Sequence, residues 1–284
     1  MKVLFCTDGS KISFNALHNF AGWAENATID VICVIDWSFL PDDVSIETEG
    51  FAFSCANIAD NILEYAQKEI KNYGLNFGEK IKQCGGAVEC ILEQLNSCEY
   101  DLIVMGSHGK KGIQQWLGSV SRDILYNANV SVYIAKNRNQ HKRILFTPED
   151  SENSDFAVTM GLDTLKLSDK EIFICTVTEN PDLLFLDGTL DTNWLLAIEQ
   201  QQEIHAQNLV DRLKARIEDK GHSVEKASVL EGNPAQKIIE YAASENIDLI
   251  ITGTKGQTKM KDFLLGSVSK RVLENTQSDV LIFK

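Results

Sequence analysis

No apolar run in this 284-residue chain approaches the roughly 18 residues that a membrane-spanning helix needs, which excludes a transmembrane helical protein. The apolar start of the N-terminus meets an acid at Asp8, too soon for the core of a secretion signal, so a cytoplasmic location is expected. Positive charge is scarce: 27 Lys and Arg stand against 41 Asp and Glu, a net charge of −14. Such a field repels nucleic-acid backbones and anionic lipid, and neither is expected as a partner. It does not exclude a small anion, which a few backbone amides at a helix start can hold locally. The seven cysteines (Cys6, Cys33, Cys55, Cys84, Cys90, Cys98 and Cys175) include no CxxC pair, and the five histidines include no HExxH. A disulfide framework, a structural zinc site and a zinc hydrolase are therefore unsupported. Most of the cysteines sit in apolar runs and read as small core residues; Cys84, Cys90 or Cys98 as a reactive thiol is the competing reading. No GxxxxGK[ST] loop, SGGxDS-like loop or nucleophile–base pair is present.

What is present is an internal repeat. KVLFCTDGSKISFNAL (2–17) matches RILFTPEDSENSDFAV (143–158), and DLIVMGSHG (101–109) matches DLIITGTKG (248–256). GSVSRDILYN (118–127) matches GSVSKRVLEN (266–275), and VSVYIAK (130–136) matches SDVLIFK (278–284). Four blocks in one order, offset by 141 to 148 residues, indicate a tandem duplication. The halves are assigned as 1–137 and 142–284, each large enough to bury a core. Hydrophobic residues at 44% and charged residues at 24% fit a globular chain.

Each half reads as strands alternating with helices. Buried parallel strands are expected at Val3–Cys6, Asp30–Ile35, Gly78–Cys84, Leu102–Met105 and Val130–Ala135. Their counterparts are Ile144–Thr147, Ile172–Val177, Ser223–Leu230, Leu249–Thr252 and Val280–Phe283. Helices are expected at Asn57–Tyr73, Val88–Leu95, Trp194–Lys220 and Ala235–Ala243. Ser10 or Ser13 caps the first helix of one half, and Ser151 or Ser154 that of the other. The pattern predicts α/β architecture with two doubly wound, five-stranded parallel sheets. The acidic stretches Ser38–Phe53 and Thr178–Thr192 read either as solvated loops or as lids.

The most specific local signal is Gly253-Thr-Lys-Gly256, nine residues, then Gly266-Ser267. It begins at a strand end and its last part opens a helix. Glycines there permit a turn or close backbone approach, and amides at a helix start attract phosphate; a purely turn-making role is the alternative. The first half carries Gly106-Ser-His-Gly109, but only eight residues precede Gly118-Ser119. That deletion either shifts the Gly118 amide or is absorbed in the loop. Asp8 follows the first strand, and Glu149 holds its place in the second half. Each is a ribose-hydroxyl ligand or a charge partner of the following helix dipole.

On these motifs both halves resemble universal stress protein domains of the adenine-nucleotide-binding α/β superfamily, and the chain resembles a tandem member. The resemblance implies strand order 3-2-1-4-5 in each half, with Asp8 facing Gly106 and Glu149 facing Gly253. The family's ATP-binding motif, G-x2-G-x9-G-[S/T], is complete in the second half and one residue short in the first. Carried over by position, Thr7, Asp8 and Val34, or Pro148, Glu149 and Val177, hold adenosine. Gly106, Gly109, Gly118 and Ser119, or Gly253, Gly256, Gly266 and Ser267, meet the phosphates, with His108 or Lys255 beside them. The implied ligand is ATP or another adenine nucleotide, with any Mg or Mn arriving through its phosphates. The implied role is a regulatory module of stress response. A nucleotide-independent scaffold acting by dimerisation, or a slow ATPase, are the alternatives. The resemblance also implies that the fifth strands of the halves pair as an internal pseudo-dimer, with a homodimer a further possibility. The complete spacing leads us to expect tighter binding in the second half.

Overall fold

The computed structural model describes residues 1–36, 49–108, 117–137, 139–179, 192–254 and 265–284, with residues 49–56 and 192–195 described by backbone alone. The first half runs β1 (Lys2–Cys6), α1 (Lys11–Ala21), β2 (Thr28–Ile35), α2 (Glu49–Asn72), β3 (Asn76–Cys84), α3 (Ala87–Ser97), β4 (Leu102–Gly106), α4 (Ser119–Asn127) and β5 (Ser131–Ala135). The second repeats it: β6 (Arg143–Phe146), α5 (Glu152–Thr164), β7 (Glu171–Thr178), α6 (Thr192–Asp219), β8 (Val224–Glu231), α7 (Pro234–Ser244), β9 (Leu249–Gly253), α8 (Ser267–Asn275) and β10 (Asp279–Phe283).

Within each half all strands are parallel, in the order 3-2-1-4-5. The two sheets are continuous. β5 pairs with β10 in antiparallel register, Leu281 opposite Tyr133, giving one ten-stranded sheet β3-β2-β1-β4-β5-β10-β9-β6-β7-β8. Apart from the first residues of β1 and β6, strands β1, β4, β5, β6 and β10 are buried along their length. Their near-continuous apolar runs follow from helices covering both faces. The outermost strands β3 and β8 carry Glu and Lys on exposed positions, which blunts a free edge against further pairing.

One apolar core runs under α1, α2, α5 and α6 across both halves, from Val3 to Phe283. On the opposite face α3 and α4 cover a second core and α7 a third. The helix starts are local. Ser10 caps α1 by accepting from Ser13 N at 3.2 Å, and Ser151 caps α5 by accepting from Ser154 N at 3.1 Å. Helix α2 starts at Glu49, so the end of the stretch read as Ser38–Phe53 is helical; the rest of that stretch, and most of Thr178–Thr192, lie outside the described residues. Cys6, Cys33, Cys90 and Cys175 are buried and outside any disulfide, while Cys84 is exposed and Cys98 half-buried. Among the described residues no cluster of His, Cys, Asp and Glu could hold a metal, and no helix is long and apolar enough to cross a membrane.

Candidate functional site

In a 3-2-1-4-5 sheet the chain leaves strands 1 and 4 toward opposite faces, which opens a crevice at their carboxyl ends. In the second half that crevice is a cleft of about 1310 Å³ between the ends of β6, β7 and β9 and the start of α8. Six of the expected ligand-binding residues line it together: Pro148, Glu149, Val177, Gly253, Gly266 and Ser267. Lys255 and Gly256, and Gly109 in the first half, lie outside the described residues.

Local bonds position each element. Glu149 N donates to Ser154 Oγ at 2.9 Å, and the Glu149 carboxylate accepts from Ser151 Oγ at 3.0 Å. The acid is thus oriented by the same serines that begin α5. In the first half Asp8 Oδ1 accepts from Ser10 N at 2.9 Å. Thr7 is turned to internal bonds, its hydroxyl 2.8 Å from Ser13 Oγ and accepting from Gly9 N at 3.1 Å. Strand β7 outruns β6, whose last pair is Phe146 with Ile174. Val177 therefore pairs with Leu230 on one side and leaves its other backbone edge toward the cleft. Val34 stands likewise beyond β1, paired with Gln83.

The two glycine elements do different jobs from each other. A Cβ on Gly253 would lie 2.8 Å from Asn153 O and 3.0 Å from Asn153 C, and one on Gly106 2.8 Å from Ile12 Cγ2 and 3.2 Å from Ile12 O. Glycine at the end of β4 and β9 lets the following strand-1 helix approach the sheet. Gly253→Ala is expected to cost about 1–3 kcal/mol as an overpacking change, read from denaturant midpoints. Gly266 is the N-cap of α8, at φ −62° and ψ 153°, with no side-chain cap bond. Its own amide donates to Thr254 O, so it faces inward. The N–H groups of the first helical turn, beginning with Ser267, are the donors a cleft ligand could meet. Ser269 Oγ donates to Gly253 O at 2.9 Å and fixes the helix start to β9.

The first half reproduces this geometry in spite of its shorter loop. Gly118 has φ −61° and ψ 156°, its amide donates to Ser107 O at 2.7 Å, and Ser121 Oγ donates to Gly106 O at 2.8 Å. The missing residue therefore does not displace Gly118 or Ser119. The halves differ elsewhere. His108 is buried, 3.0 Å from Ser107 Oγ, and burial together with Lys136 holds its imidazole below the ordinary range. It offers no charge at neutral pH. Ile62 lies against the turn after Asp8, its Cδ1 2.5 Å from where a Cβ on Gly9 would be.

Sequence reasoning missed one wall. The N-terminal part of α6 lines the cleft with Ile198, Gln202 and His205. His205 Nε2 lies 3.2 Å from Asp150 Oδ2, and Arg212 is 3.9 Å from the same carboxylate. Registering the halves on the buried positions of the long helix (Ala59 with Ala206, Leu63 with Val210, Ile70 with Ile217) shows the contrast. Ile58 and Tyr65 stand where His205 and Arg212 do, and Tyr65 stacks edge-on against Phe14 at 4.8 Å. The long helix thus carries an isoleucine and a tyrosine in the first half where the second half carries a histidine and an arginine beside Asp150.

The model of the universal stress protein family matches the chain twice, over residues 1–136 and 140–284. Two universal stress proteins of Methanocaldococcus jannaschii are similar to it. One is 30% identical over 151 residues, covering 53% of this chain and 86% of that protein; the other is 28% identical over 156 residues, covering 51% and 95%. The crystal structure of a universal stress protein from Archaeoglobus fulgidus shares the fold over 100% of this chain and 96% of its own, with a TM-score of 0.68 at 22% identity.

Proposed function

The chain belongs to the universal stress protein family, and on that premise we propose that it binds ATP or a related adenine nucleotide in the cleft of its second half. One observation carries the reading: the uncapped first turn of α8 opens into the same cleft that Glu149 and the free edge of β7 line. The three features suit the three parts of a nucleotide. Amides and the Ser267 hydroxyl at a positive helix end suit phosphates. A carboxylate, which only accepts, suits ribose hydroxyls. The backbone of Val177 suits the hydrogen-bonding edge of adenine. By their place in the motif Lys255 and Gly256 are assigned to the phosphates as well, and a divalent ion enters with the phosphates.

The first half is the weaker site. Its His108 is buried and held neutral, Ile62 packs against Gly9 beside the acid, and its glycine motif lacks one residue. Binding of one nucleotide ties β6, β7, β9 and α8 together, and this is the regulated state of a stress-response module. Native mass spectrometry of protein purified without added ligand, followed by calorimetric titration with ATP, tests the proposal. One adenine nucleotide per chain is expected. No bound nucleotide and no heat with ATP, ADP or cyclic AMP would instead support the nucleotide-independent scaffold.

A further inference from the structure

The halves meet along β5 and β10, and the meeting is chemically lopsided. Ser131 and Asp279 begin the two strands and hold equivalent places in the repeat. Lys284 N donates to Ser131 Oγ at 3.4 Å, and Lys136 N donates to Asp279 Oδ1 at 2.8 Å. The contact is the same, with a hydroxyl at one end of the seam and a carboxylate at the other. Asp279, only 1% exposed, gathers three more donors: Tyr133 Oη at 2.6 Å, Asn19 Nδ2 at 2.8 Å and Asn139 Nδ2 at 2.8 Å. They come from β5, α1 and the segment that joins the halves. The repeat puts Leu281 and Met160 in the places equivalent to Tyr133 and Asn19, and neither can donate.

We infer that Asp279 makes this seam heterospecific: β5 and β10 fit each other, neither fits itself, and a second copy of the chain is excluded from this interface. The backbone ladder cannot make that distinction, because both strands are five residues long, buried throughout, and offer the same peptide donors and acceptors. The side chains make it. A β10–β10 pairing between two chains would set Leu281 and Met160 of one against Asp279 of the other. Each buried carboxylate would lose its phenol and one amide, which is the costly way to break a buried polar cluster. A β5–β5 pairing would direct each Tyr133 hydroxyl toward a serine in place of a carboxylate. Discrimination thus comes from the donors that a β10–β10 pairing takes from Asp279 and from the carboxylate that a β5–β5 pairing withholds from Tyr133.

The joining segment reinforces closure within one chain. Asp248 accepts from Gln140 N, Lys142 N and Arg143 N at 3.3, 2.8 and 3.0 Å, and Asn139 Nδ2 also donates to Asp248 O at 3.3 Å. A pinned joint opposes exchange of halves between chains. The equivalent residues Ala24 and Leu165 also bridge each other across the halves, and Lys166 N donates to Trp23 O at 2.8 Å.

The test matches the two edges in the full-length chain: Tyr133→Leu with Asp279→Ser gives β5 and β10 nearly identical side chains. Light scattering across a wide concentration range reads the mass, and amide hydrogen exchange in β5 and β10 tells whether an associated species uses this seam. In the unsubstituted protein, exchange in β5 and β10 is expected to be slow and independent of concentration. In the double variant, association through these strands should strengthen by about tenfold or more. Tyr133→Phe, which removes one hydroxyl, is the check if the double variant does not fold; it should move association in the same direction by a smaller factor. A folded double variant that keeps the unsubstituted association behaviour overturns the inference, as does a Tyr133→Phe chain with no change. So does concentration-dependent exchange of β5 or β10 in the unsubstituted protein.

Discussion

Ser267→Pro is expected to abolish tight nucleotide binding while leaving the fold intact, and Ser119→Pro to leave the tight isotherm unchanged. Ser267 is the first residue of α8 and Ser119 the first of α4. Proline is well tolerated at that position because the N–H it lacks has no partner within the helix. The residue before it must be extended, and Gly266 and Gly118 already are, with ψ of 153° and 156°. Each substitution therefore deletes one amide donor and one hydroxyl without disturbing the helix. Bonds to a charged acceptor are worth about 1.5–3 kcal/mol each, so losing two should weaken binding by roughly a hundredfold or more. Calorimetric titration reads the affinity, and denaturant midpoints within about 0.5 kcal/mol confirm an intact fold. The opposite pattern, with Ser119→Pro abolishing the tight site, would move the nucleotide to the first half. Asp8 would then outweigh the glycine spacing.

The second large effect is on stability. Unfolding free energy is expected to fall as pH rises from about 5 to about 7, and Asp279→Asn to remove that fall. Burial raises the Asp279 carboxyl from 3.8 to about 7, against the pull of its four donors from Tyr133, Lys136, Asn19 and Asn139. The folded protein holds this proton more tightly than the unfolded chain does. The stabilisation is complete below 3.8 and is lost as pH climbs toward about 7. At about 1.4 kcal/mol per unit the whole range is worth roughly 4 kcal/mol. Lys136, lowered to about 8 by burial, acts above this window and with the opposite sign. Tyr133 is pushed well up and stays protonated throughout. The decisive quantity is the slope of denaturant stability against pH, since the amide carries a fixed cost of its own. Equal slopes for the two proteins would place the carboxylate's proton elsewhere.

A good part of the molecule was legible in the sequence. The repeat showed a tandem of two like halves, the apolar runs located the strands, and serines before each strand-1 helix located its cap. These signals are local, because a strand's burial and a helix's cap are written within a few residues of where they act. The place of Glu149, Gly253 and Ser267 was legible too, since a strand end followed by a helix start always falls at the carboxyl edge of such a sheet. The strand order came through family resemblance, not through periodicity.

What the sequence could not decide is which distant segments face each other. His205 and Gln202 sit more than fifty residues from Glu149, inside the helix expected over Trp194–Lys220. They become cleft wall because α6 outruns the strand it packs on. The deletion before Gly118 read either as a shift of the Gly118 amide or as a change absorbed in the loop. The bonds from Gly118 to Ser107 and from Ser121 to Gly106 hold the helix start where its counterpart stands. In the sequence Asp279 is simply the acid that precedes the expected strand Val280–Phe283. Joining β5 to β10 buried it, and donors from α1, β5 and the joining segment made its burial tolerable. Periodicity encodes which face of an element is apolar; only packing decides what that face, or a lone polar residue at its rim, will meet.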